Sequence, residues 1–135
     1  MSVTITPQGI DTGAILIEST AVNATLEPNI TGGAGRLHFI KLVNAHANDA
    51  FFRIWDNDGS SVVNGTTAPE FILYVPGSDT VTYTFTDIDE PGGGVAFDGL
   101  SIACVKNEGV ADGPGTEGTS NPTGNVSISA VATAS

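Results

Sequence analysis

The chain has 135 residues, the size of one domain, and its 15 acidic against four basic residues leave a net charge of −11. That balance argues against nucleic-acid binding, which needs Lys and Arg for phosphates, and against anionic membrane surfaces. A single cysteine, Cys104, rules out an internal disulfide, and no apolar run reaches the roughly 18 residues of a membrane-spanning helix.

Seventeen Gly and seven Pro among many Thr, Ser and Val, without apolar residues at helical spacing, predict an all-β chain. The architecture expected is an antiparallel β-sandwich, jelly-roll-like, of about eight strands. The opening Met-Ser-Val-Thr-Ile-Thr has neither the basic region nor the apolar core of a secretory signal, so it is not read as a secretory peptide.

In chain order, Ser2–Thr6 alternates Val3 and Ile5 with polar residues and reads as a short strand. Ala14–Thr20 is a second strand, and Glu27–Gly35, with Pro28, Gly32 and Gly33, is a loop. Residues 1–34 thus form an N-terminal strand or arm segment, and 35–135 a sandwich, one domain overall.

Arg36–Asn44 and Ala50–Asp56 read as two strands of a hairpin closed by 45–49. In that register Ile40 faces Ile54 and Leu42 faces Phe52 on a core side, with His38 against Asp56 and Arg36 against Asp58. The other side pairs Phe39 with Trp55, Val43 with Phe51 and Lys41 with Arg53. It is too apolar to be left bare. Phe39, Lys41, Phe51, Arg53 and Trp55, with Val3 and Ile5, are the candidate partner-binding residues.

Glu70–Val75 and Thr80–Phe85 follow as strands around the Pro76-Gly77-Ser78-Asp79 turn, with Val81, Tyr83 and Phe85 inward and the intervening threonines outward. Val95–Phe97 leads through Asp98-Gly99 into Leu100–Val105, where Cys104 reads as a small buried hydrophobe. Lys106–Thr123 is a long polar run, and Asn125–Thr133 is a last strand expected beside Leu100–Val105.

Catalytic chemistry has little to build on. His38 and His46 are the only bases of the usual kind, and no nucleophile is placed beside them. No catalytic residue and no cofactor are assigned. Asp56-Asn57-Asp58-Gly59 resembles the start of a calcium loop, but Thr67 stands where the twelfth-position Glu belongs. Asp56 and Asp58, and Asp87 and Asp89, are weak calcium candidates against a default of surface turns.

Three stretches, Ile54-Trp55-Asp56-Asn57, Val75-Pro76-Gly77 and Phe97-Asp98-Gly99-Leu100-Ser101-Ile102-Ala103, make the order of features similar to small β-sandwich structural proteins of tailed bacteriophages. The resemblance implies a non-enzymatic virion component on the capsid surface: a decoration or cement protein that binds the major capsid protein and stabilises the head. A neck or tail position is an alternative within the virion. Self-association, up to a trimer, goes with it. From another class, a carbohydrate-binding adhesion module would stack sugars on Trp55, Tyr74 and Tyr83; a small hydrolase ranks last.

Overall fold

The structure is a computed structural model that describes residues 3–7, 14–85, 94–106 and 121–134. Nine strands occur among these: β1 (Thr4–Pro7), β2 (Ala14–Val22), β3 (Gly35–Asn44), β4 (Ala50–Asp56), β5 (Phe71–Val75), β6 (Asp79–Thr84), β7 (Val95–Phe97), β8 (Leu100–Val105) and β9 (Val126–Ala134). Sheet A has the order β1-β2-β9-β3-β6, with β7 pairing β3, and sheet B the order β5-β4-β8. Every pair is antiparallel.

An irregular stretch extends sheet B beyond β8. Glu27 and Ile102 exchange backbone hydrogen bonds of 2.9 and 3.0 Å, Cys104 N donates to Asn23 O, and Ile30 N donates to Leu100 O. With residues 23–30 as a fourth member, β2-β9-β3-β6 stands over (23–30)-β8-β4-β5. This is the strand order of a jelly roll, the expected architecture.

The period-two pattern fills the space between the sheets. Ile17, Ile40, Leu42, Ile128 and Ala130 from sheet A meet Phe52, Ile54, Val75, Ile102 and Cys104 from sheet B, all essentially inaccessible to solvent. Val81, Tyr83 and Phe85 pack against this core from β6 and its end, as their alternation predicted.

The hairpin expectation is overturned. β3 and β4 do not pair: β3 lies between β9 and β6, and β4 between β5 and β8. The connection 45–49 arches from one sheet to the other. Ile40 and Leu42 therefore share the core with Phe52 and Ile54 across the sandwich, not along a ladder. Alternation tells which face a residue takes and not which strand lies beside it, so from Phe39 onward the faces are as expected and the neighbours are not; Arg36 and His38, expected on the core side, face outward instead.

The pairs built on that hairpin dissolve with it. Lys41 and Arg53 lie in different sheets. His38 Nε2 is hydrogen-bonded to Thr133 Oγ1 at 2.8 Å, not to Asp56, and Arg36 Nη2 donates to Gly94 O at 2.8 Å, away from Asp58. Nor does the last strand lie beside Leu100–Val105; β9 runs between β2 and β3.

Residues 14–34 are not an arm. β2 is an interior strand of sheet A, and Ile17, Val22 and Ile30 belong to the core. Deleting residues 1–20 would remove core as well as any contact surface.

Candidate docking faces

The outer face of sheet B is largely closed by the chain itself. Residues 57–69 fold back over β4 and β8, held by side-chain bonds. Trp55 Nε1 donates to Thr67 O at 3.0 Å, Arg53 Nη1 to Asn64 Oδ1 at 2.8 Å, and Asn64 Nδ2 to Ala24 O at 2.8 Å. Ser101 Oγ donates to Asn57 O and accepts from Asn29 N. Trp55, Val62 and Ala103 form a second small core beneath this cover, with Leu26 packed on it.

Two of the expected partner-binding residues are thereby internal. Trp55 is 2% exposed and Arg53 fully buried, and burial pulls the guanidinium below its usual value. β4 buries both faces because residues 51–55 are an almost unbroken apolar run, the mark of a strand covered on both sides.

Phe51 stays half-buried, tilted against Tyr74 with ring centroids 5.5 Å apart. Tyr74 is 45% exposed, and its hydroxyl donates to Asp49, which raises its pKa above the ordinary value. A sugar-stacking site would have this tyrosine available and not the tryptophan.

Among the described residues, the outer face of sheet A carries exposed side chains at Glu18, Lys41, Thr82 and Thr84. A bulge at β3 positions this surface: Leu37 pairs Ala132 and Phe39 pairs Val131, so His38 is the extra residue. Leu37 is buried before it, Ile40 and Leu42 after it, and His38 and Phe39 both face outward.

Successive rows then cross the sheet. Leu16, Val131, Phe39 and Thr84 are neighbours in one; Glu18, Ser129, Lys41 and Thr82 in the next. Leu16, Val131 and Phe39 are half-buried, while Glu18, Lys41, Thr82 and Thr84 are exposed. Arg36, His38 and Lys41 thus share a face on which Glu18 is the carboxylate among the described strand residues, although the chain carries −11 overall. Of the expected partner-binding residues, Phe39 and Lys41 lie on this face. Leu16, Glu18 and Val131 were missed because the strand order that aligns them is non-local.

Val3 packs partly buried against the core at the β1 edge, and Ile5 lies opposite Ile17 in the ladder. The other side of the sandwich carries a latch: Tyr83, in sheet A, donates its hydroxyl to the Tyr74 carbonyl in sheet B at 2.7 Å. This occupies a main-chain acceptor on the edge strand β5.

The acidic corner is built from turns. Asp56 Oδ1 accepts from Asp98 N at 2.6 Å, and Asp58 Oδ1 from Ser60 N at 2.9 Å; hydrogen bonding by the Ser60 side chain, and then by its backbone N–H, holds the Asp58 carboxyl below its usual range. Among the described residues no group of three His, Cys, Asp or Glu side chains gathers as a metal site. Asp87 and Asp89 lie outside the described residues, as does most of the polar run 106–123.

His46 lies at the far end of the sandwich, where its ring covers Gly124 and its carbonyl accepts from Ser78 N. Cys104 is buried between the sheets, and that burial pushes its thiol up to about 12, so it is held neutral. A cavity of about 30 Å³ opens between the sheets at Leu37, Ile54, Phe71 and Phe97, with Asp56 and Glu70 on its lining. It has room for a water and not for an organic substrate.

Among described residues, no helix is long and apolar enough to cross a membrane. No known protein family, curated protein or solved structure matches the chain.

Proposed function

We propose that this chain is a structural virion protein, a capsid decoration or cement protein that reinforces the head lattice by surface burial and not by catalysis. The observation that carries the reading is the two-sidedness of the sandwich. The outer side of sheet B is mostly covered by its own loops, while sheet A presents half-exposed apolar residues and accessible basic groups on an otherwise acidic molecule. A face of that kind suits an assembly partner. A protein that binds only the assembled shell stabilises it by linkage, since dissociation must also break those contacts.

Purified protein added to capsids that lack it tests the reading, with copies bound per shell counted by electron microscopy. The double variant Phe39→Asp, Lys41→Glu should reduce occupancy by roughly tenfold or more. Wild-type protein that ignores the shell, or a variant that fills it equally well, would refute the assignment.

A further inference from the structure

We propose that the outer face of sheet A is occupied by a second copy of the same chain, in a twofold dimer whose axis lies in the interface and runs along β9. The inference rests on reading this face as a docking surface. It names a second copy as the partner that this face meets, so that a shell would take up the dimer through its remaining surfaces, and the dimer is tested without capsids.

The argument is self-complementarity. A twofold axis along β9 exchanges the two sides of the sheet and keeps each cross-strand row at its own height. β3 of one copy then lies over β2 of the other. Leu16 meets the second copy's Phe39 and Phe39 its Leu16, while Val131 meets Val131 on the axis. In the neighbouring row Glu18 meets Lys41 and Lys41 meets Glu18, two reciprocal ion pairs flanking Ser129.

The alternative twofold, across the strands through Phe39, lays β3 on β3. It brings Lys41 over the Arg36 and His38 of the second copy and stacks like charges, which disfavours it.

Size and packing geometry are consistent with such a contact. Five strands abreast, up to ten residues long, span about 24 Å by 30 Å at ordinary strand spacings. With strands of 4, 9, 9, 10 and 6 residues the face covers about 600 Å² per copy, at the lower edge of the about 600–1,000 Å² per partner of specific interfaces. Face-packed sheets cross at about 30°. Glu18 and Lys41 are only one strand from the axis, so that rotation displaces them by about 2.5 Å, within reach of a lysine side chain.

Sedimentation equilibrium of the full chain, without capsids, tests the dimer. Wild type should sediment at twice the 13.7 kDa of one chain. Glu18→Lys alone and Lys41→Glu alone each set like charges opposite one another and should raise the dissociation constant by roughly tenfold or more. Both positions are exposed, so neither change threatens the fold. The double variant Glu18→Lys, Lys41→Glu restores opposite charges and should dimerise as wild type does.

A monomeric wild type at 100-fold excess over the concentration used on capsids, or a double variant no tighter than its parents, would overturn the proposal. If wild type is monomeric yet Lys41→Glu still loses shell occupancy, the face belongs to the lattice. The dimer then fails while the proposed function stands.

Discussion

Replacing Trp55 separates a structural tryptophan from a docking one. Its indole is 2% exposed, seated against Val62, Ala103 and Leu26, and its N–H is bonded to Thr67 O. A buried Trp removes about 150–250 Å² from water, which at about 25 cal/mol per Å² is about 4–6 kcal/mol as an upper bound. Partial collapse of the 57–69 cover recovers part of it, and the freed Thr67 carbonyl costs about 1 kcal/mol. Trp55→Ala should therefore lose about 4 kcal/mol, a large part of the 5–15 kcal/mol that holds a domain together. Trp55→Phe, which keeps most of the ring and drops the N–H, should lose about 1–2 kcal/mol.

Urea denaturation followed by far-ultraviolet circular dichroism measures both, because the variants lack the chain's one tryptophan. In wild type the indole should emit as a buried group and resist acrylamide quenching. Solvated emission, or a Trp55→Ala protein as stable as its parent, would refute the closed face of sheet B and return Trp55 to the contact residues.

Three further outcomes follow from the same packing. Cys104 stays protonated in the folded state up to about pH 12, whereas an unfolded thiol ionises near pH 9. The raised pKa means its contribution is complete below pH 9 and is lost above it, so stability should fall by about 1.4 kcal/mol per pH unit from there. Cys104→Ala should remove that slope in a pH series of urea melts; an unchanged difference between the two proteins from pH 8 to 10 would contradict it. Tyr83→Phe should cost about 1 kcal/mol and speed amide exchange along β5, because the Tyr74 carbonyl loses its donor; exchange identical to wild type would speak against the latch. Gly77→Ala would place a Cβ on the Ala47 carbonyl oxygen and should cost about 1–3 kcal/mol in thermal unfolding, while an unshifted melting curve would show that the 45–49 arch gives way freely.

Much of the fold was legible because local alternation fixes which residues turn inward. Ile40, Leu42, Phe52, Ile54, Val81, Tyr83, Val126 and Ile128 all pack where their parity placed them. Sheet partners were not legible. The residues 45–49 are as compatible with an arch between layers as with a hairpin, and only packing of the whole chain decides. The bulge at His38 left a trace in Leu37-His38-Phe39-Ile40, where two outward positions interrupt the inward alternation. The same non-locality hid half of the candidate contact surface. Glu18 and Lys41 are 23 positions apart in sequence and separated by a strand from the far end of the chain.

That strand has a consequence for biosynthesis. β9 hydrogen-bonds to β2 on one flank and β3 on the other, so sheet A is two unjoined pieces until Ala134 has left the ribosome. Nascent chains truncated anywhere before Val126 expose the flanks of both pieces and the apolar side chains of Ile17 and Leu42. Such fragments are substrates for proteases and not for assembly, so only polypeptides translated through this last ladder can acquire the finished surface.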